Sequence, residues 1–181
     1  MTIEYSLEQP DFLEFQLFTA SKSERIIKSR KISRIRLPIV YLILGIVLLL
    51  FADLIFALVF IGIGLAWYFL HPNFMRKRYI RHFKKYLNEN YKNRFGKPVS
   101  LKFGDEFIES ADYLSESKMR IRELEEINEI KDYYFLKVSS GESFIIPKNR
   151  INDGSEFHEY ISKLAKALEI TYNTELNWKW N

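Results

Sequence analysis

The chain contains no cysteine among its 181 residues, so disulfides, thiolate zinc sites and a cysteine nucleophile are excluded. Glycine is scarce. Of the seven present, only Gly62 and Gly64 stand close together, inside an apolar run, so no Gly-rich loop exists to cradle a phosphate. The three histidines, His71, His82 and His158, lack paired ligand spacing and read as isolated surface or interface side chains. Serines occur without a Gly-x-Ser-x-Gly elbow. Glu123, Glu125, Glu126 and Glu129 are not accompanied by an EF-hand pattern, and read as a solvated acidic edge. No nucleophile, base or metal set converges, so the expectation is a non-enzymatic protein without a cofactor.

The most informative absence is charge. Between Leu37 and Leu70 the only charged residue is Asp53, near the middle. As one helix this run would be about 50 Å long, against a hydrocarbon core of about 30 Å. Folding it at Asp53 gives two arms, 37–52 and 54–70, of about 24–26 Å each, workable with local thinning or anchoring flanks. Seven bases lie between Ser21 and Arg36 and nine between His71 and Lys97, with one acid in each flank. Lys and Arg flanking membrane segments favour the cytoplasmic side, so both flanks belong there and the crossings are even in number. Tyr41, Trp67 and Tyr68 then fall toward the cytoplasmic interface, and Asp53 becomes the hairpin tip. Gly45 comes to nearly the depth of Gly62, so Gly45, Gly62 and Gly64 are the candidate helix-packing residues. A re-entrant hairpin, or one buried in a soluble core, is the alternative. A signal peptide is not expected, because the run starts late and is too long.

The net charge of +4 conceals an asymmetry. From Pro98 onward eleven bases face sixteen acids, a net of −5. The basic character belongs to the membrane flanks, so no nucleic-acid partner is expected.

Residues 1–36 hold a strand (Thr2 to Ser6), a helix bearing Phe12, Phe15 and Phe18, and the first basic stretch. Ser6 and Gln9 have capping-box spacing, with Pro10 just inside the helix. After the hairpin, His71-Pro72 is expected to break the helix. Residues 71–97 then form a basic amphipathic helix in which Met75, Tyr79, Phe83, Tyr86 and Leu87 recur at three- and four-residue spacing, with Gly96 as its stop. Its basic face, Arg76, Lys77, Arg78, Arg81, Lys84 and Lys85, is the candidate contact with anionic headgroups. The alternative is a stalk whose apolar face packs on the distal domain.

From Pro98 the pattern is mostly strand. Val99 to Phe103 alternates, and Glu106 to Ser110 resumes after Gly104-Asp105. Residues 118–130 fit strand or helix. Tyr133 to Ser139 and Ser143 to Ile146 form a hairpin about Ser140-Gly141, ended by Pro147. Asp153 and Glu156 have capping-box spacing ahead of an apolar stripe of Phe157, Ile161, Leu164 and Leu168, so a helix closes the domain by residue 170. Residues 171–181 read as a tail, in which Trp178-Lys-Trp180 is an interfacial anchor, a partner peptide or a frayed end.

This order, and the segment from Ile127 to Lys148 with its strand, turn and strand ending in Ile146-Pro147-Lys148, resembles the YcxB-like family of bacterial membrane proteins. The resemblance extends over nearly the whole chain. It implies an α+β membrane protein: a two-helix transmembrane hairpin joined to a small pleckstrin-homology-like domain at 98–170, a curved sheet or split barrel closed by the last helix. It also favours strand over 118–130. Many relatives carry a Trp where this chain reads Arg122-Glu-Leu124, so the core there must be filled differently. The expected function is a membrane-anchored interaction module of the cell membrane, multi-pass, with both termini cytoplasmic. Its partners are anionic lipid headgroups and a possible protein. The alternative is an accessory or protective subunit acting through its hairpin. Neither the domain's ligand nor the oligomeric state is legible.

Absence of native cysteine makes topology directly measurable. With single cysteines at Asp53, Ser23 or Ser140, a membrane-impermeant thiol reagent applied to intact cells is expected to label position 53 alone. Protection at all three sites would indicate a re-entrant or buried hairpin.

Overall fold

The computed structural model describes residues 1–51 and 54–180. The chain divides into two compact units, one made of Met1–Phe15 with Lys84–Lys179, the other of Gln16–Phe83 with Trp180. In order, strand β1 (Thr2–Ser6) and helix α1 (Gln9–Lys22) precede two long helices, α2 (Glu24–Phe51) and α3 (Leu54–Asn90). Strands β2 (Pro98–Phe103), β3 (Phe107–Ala111), β4 (Glu116–Arg120), β5 (Leu124–Ile130), β6 (Tyr133–Val138) and β7 (Ser143–Pro147) follow, then helix α4 (Gly154–Ala167) and strand β8 (Thr171–Glu175). The hairpin tip assigned to Asp53 lies outside the described residues.

The first unit carries two four-stranded sheets, β1-β2-β3-β4 and β7-β6-β5-β8, which are not closed into a barrel. The first is antiparallel, and β1 joins it by pairing with β2, Ile3 opposite Leu101 and Tyr5 opposite Val99. The second is antiparallel except at β8, which runs parallel to β5 with Tyr172 opposite Ile127. Residues 171–175 are therefore sheet rather than tail. Thr-Tyr-Asn-Thr-Glu lacks apolar alternation, and the ladder to the buried β5 supplies what the pattern does not show.

Apolar residues from both sheets meet α4. Leu101, Ile108, Ile127, Leu136 and Ile146 are fully buried, as are Phe157 and Ile161 on the helix stripe. The Phe157 ring lies 5.9 Å from Phe103 of the first sheet and 5.5 Å, edge-on, from Tyr134 of the second. One aromatic residue thus touches both sheets, a large share of the burial that favours this packing. Glu159 and Lys163 pair at 2.6 Å on the exposed side of α4. Asp153 makes no side-chain cap. It takes a left-handed backbone, φ 54°, where its carboxylate does not reach the first turn.

The ambiguous stretch resolves as β4, a single 3₁₀ turn at Ile121–Glu123, and β5. Leu124, Ile127 and Ile130, whose spacing also fitted a helix, all lie in strand β5, so the strand reading holds there. Ile121 and Leu124 are both buried. Between β6 and β7, Gly141 adopts φ 86°, a conformation open to glycine at little cost.

Helix α1 starts at Gln9, and its cap is Glu8 rather than Ser6. Asp11, three residues on, accepts the Glu8 backbone N–H at 2.6 Å, the reciprocal half of a capping box. Asp11 is also fully buried. It accepts the Tyr133 hydroxyl at 2.8 Å and pairs with the Arg150 guanidinium, which donates in turn to the Ser6 carbonyl at 2.9 Å. Burial, then the bond to Asp11, pushes the Tyr133 phenol well above its usual range. One carboxylate thereby ties the start of α1 to β6 and to the turn after β7. Phe12 against Tyr91 and Phe95, and Phe15 against Phe135, complete the attachment.

In the second unit, α2 and α3 pair antiparallel. Large apolar side chains over most of both helices point outward: Leu50 is 72 % exposed, Ile55 69 % and Phe69 69 %. Both helices are long and apolar enough to cross a membrane, and little of their apolar windows is buried. A hairpin in a soluble core would show the reverse. Helix α3 continues through Pro72 to Asn90, so the expected break at His71-Pro72 is absent.

Removing a buried carboxylate strands the donors that face it. Asp11→Ala is expected to cost about 2–3 kcal/mol, discounted because Arg150 is partly solvated. Arg94→Ala, at the more exposed pair with Asp112, is expected to cost under about 1 kcal/mol. Thermal unfolding of the detergent-solubilised chain checks the difference.

Candidate membrane interface

The seam between α2 and α3 is built on small residues. A Cβ placed on Gly45 would sit 2.6 Å from Ile61 Cγ1 and 3.3 Å from the Ala57 carbonyl, and one on Gly64 3.2 Å from Tyr41 Cβ. Ala57 is fully buried. Gly45 and Gly64 thus lie where the backbones approach closely, as small residues permit in lipid. Gly62 is elsewhere: nothing lies within 4 Å of its Cβ position, and it takes no part in this seam. The helical repeat puts it on a different face of α3 from Gly64.

At the end of the seam nearer the basic residues, polar contacts replace the glycines. Pro72 has no N–H, which leaves the Tyr68 carbonyl, four residues back, without its helical donor. Arg34 of α2 supplies one: its Nε donates to that carbonyl at 3.3 Å, and its guanidinium lies 4.2 Å from the Tyr68 ring centroid. A proline that would break an isolated helix is accommodated by its neighbour. His71 is buried, with Nε2 3.2 Å from Ser33 Oγ and its ring 5.5 Å from Trp67. Trp180 is buried on the same unit, against the Arg30 guanidinium at 4.5 Å and the Tyr79 ring at 5.5 Å. It is neither a frayed end nor an exposed anchor.

The six basic residues are all exposed on α3. Arg76, Lys77, Arg78 and Arg81 belong to the helix-pair unit, while Lys84 and Lys85 lie on the stretch of α3 within the sheet-bearing unit. Lys85 is 3.8 Å from Glu89, one helical turn on. Because α3 is one helix from Leu54 onward, the charges are stacked along an extension of the apolar rod, not carried on a separate helix after a break. Arg76 to Arg78 lie about 9–12 Å beyond Leu70 along the axis, and Arg81 about 17 Å.

In the sheet-bearing unit, the acidic edge does not behave as one group. Glu123 and Glu125 are exposed, but Glu129 is buried in β5. Its Oε1 pairs with Lys148 at 2.6 Å and its Oε2 accepts the Tyr172 hydroxyl at 2.9 Å. His158 Nδ1 stands 3.2 Å from the Tyr134 hydroxyl. Burial and then Glu129 push the Tyr134 phenol up to about 12 and Tyr172 higher still, so both remain neutral donors. With both carboxylate oxygens occupied, the cluster joins β5, β8 and the turn that follows β7. Among the described residues no group of His, Asp and Glu has the arrangement to hold a metal ion.

Against known families, residues 103–164 match the model of the YcxB-like protein family. The chain carries a YcxB-like domain. The matched segment runs from the last residue of β2 into α4, about a third of the chain and less than the resemblance in sequence extends over. Strands β1 and β8, which complete the two sheets around the YcxB-like domain, lie outside it. No curated protein and no solved structure matches this chain.

The sequence signals for the seam were partial. Gly45 and Gly64 were visible as small residues in an apolar run, whereas the Arg34–Tyr68 contact was not, because its donor comes from the other helix. The Glu129 cluster left no signal, because its partners come from three distant strands and turns.

Gly45→Leu is expected to disrupt the helix pair, at a cost of about 1–3 kcal/mol, the usual range for overpacking. Gly62→Leu is expected to change stability by less than about 0.5 kcal/mol. Thermal unfolding of each variant in the same detergent is the check.

Proposed function

We propose that this chain is a membrane-anchored, non-enzymatic interaction module of the cell membrane. The helix pair crosses the bilayer as a hairpin, with both ends of the chain cytoplasmic, and holds a small pleckstrin-homology-like domain at the membrane surface. In this reading the two sheets and α4 form the binding body. The basic residues of α3 grip anionic headgroups, and tethering raises the effective concentration of a weak partner.

The observation that carries the reading is the pairing of β1 with β2. These strands precede and follow the whole helical excursion, yet lie side by side in one sheet. A chain that leaves and re-enters the same sheet must cross a bilayer an even number of times. The outward apolar faces of α2 and α3, and the bases that begin just beyond Leu70, agree with that arrangement. A second reading, an accessory or protective subunit acting through its hairpin, draws on Gly62, a small residue on a face that α2 leaves open.

Each of Arg76, Lys77, Arg78 and Arg81 is expected to contribute about 1 kcal/mol near a charged leaflet. In a chain with 37–70 replaced by a short flexible linker, reversing all four to Glu should weaken binding to anionic vesicles at low salt by about a thousandfold or more. Unchanged partitioning in a vesicle sedimentation assay would overturn the headgroup contact.

A further inference from the structure

We infer that the helix pair contains a discrete site for the phosphate of an anionic phospholipid, in the groove between α2 and α3 lined by Arg36 and Arg78. The inference rests on reading the pair as a membrane hairpin, and goes beyond a diffuse basic surface. The groove encloses about 680 Å³, within the range of small-molecule sites. It lies wholly in the helix-pair unit, with Ser33 and Arg36 on one side and Trp67, His71 and Arg78 on the other.

Three features point to this ligand. No carboxylate lines the groove, and among the described residues neither Arg36 nor Arg78 has an ion-pair partner, whereas Arg30 and Arg34 beside them are committed to Trp180 and Tyr68. Two open guanidiniums facing one space suit a phosphate, which takes paired N–H donors. Trp67 also lines the groove, and its indole N–H, shielded from water, has no acceptor among the described residues, so this wall carries a further unpaired donor. Finally, the site straddles the border of the apolar run. Arg36 is the last base before it, and Leu37 and Phe74 also line the groove, placing an acyl-bearing ligand's tails against an apolar surface. An inorganic phosphate would use the arginines and gain nothing from these apolar walls.

The test uses the full chain in a neutral detergent. Native mass spectrometry and intrinsic tryptophan fluorescence follow titration with phosphatidylglycerol, phosphatidylcholine and inorganic phosphate. Saturable binding of about one phosphatidylglycerol is expected, at least about tenfold tighter than phosphatidylcholine or free phosphate. Arg36→Gln with Arg78→Gln, both exposed positions, should weaken it by about tenfold or more, and Arg36→Lys with Arg78→Lys by less. Lys28→Gln with Lys31→Gln, which removes the same charge from exposed positions of α2 outside the groove, should change it by less than about twofold. Equal losses in the two Gln pairs would overturn the discrete site while leaving the membrane-anchored reading intact. Binding of inorganic phosphate as tight as of phosphatidylglycerol would overturn the lipid assignment. A topology without crossings would remove the reading on which both depend.

Discussion

The pairing of β1 with β2 is the constraint on which the arrangement depends. Ser6 and Pro98 are neighbours in one sheet, so everything between them must leave that sheet and return to it. Closing so long a loop costs conformational entropy, though only slowly more with length. The cost is offset locally by the buried Asp11, which binds the start of α1 to Tyr133 and Arg150, and by Phe12 and Phe15 packed on Tyr91 and Phe135. These contacts all lie within the sheet-bearing unit and fix the start of α1 in it.

Within the helix pair a different economy holds. Close backbone approach and polar contacts join the two helices. Gly45 against Ala57 and Gly64 against Tyr41 provide the approach. The bond from Arg34 to the Tyr68 carbonyl repairs the donor that Pro72 lacks, and leaves α3 continuous. The basic residues stand on a continuation of the apolar helix rather than on a separate helix after a break.

The YcxB-like domain is organised about its buried residues. Its most buried charge, Glu129, is saturated by Lys148 and Tyr172, and its core is a junction of two sheets through Phe157. Such a body is suited to presenting surfaces, and its strands β1 and β8 come from chain outside the family match.

The two long apolar helices, the basic flanks, the hairpin at Ser140-Gly141 and the terminal stripe of α4 were all legible in sequence, because each is a local pattern of period two or three to four. The cap at Glu8 in place of Ser6 was not, since Asp11 is positioned by Tyr133 and Arg150 far away in the chain. The intact helix at Pro72 was not, because its missing hydrogen bond is met by another helix. Strand β8 has no apolar alternation and exists through its parallel ladder with β5, and Glu129 is internal only because Lys148 and Tyr172 converge on it. Sequence by itself determined where the chain is apolar, where it is charged and what chemistry it lacks. Tertiary structure decided which donors and acceptors satisfy one another, because those partners are distant in sequence and meet only when the fold has closed.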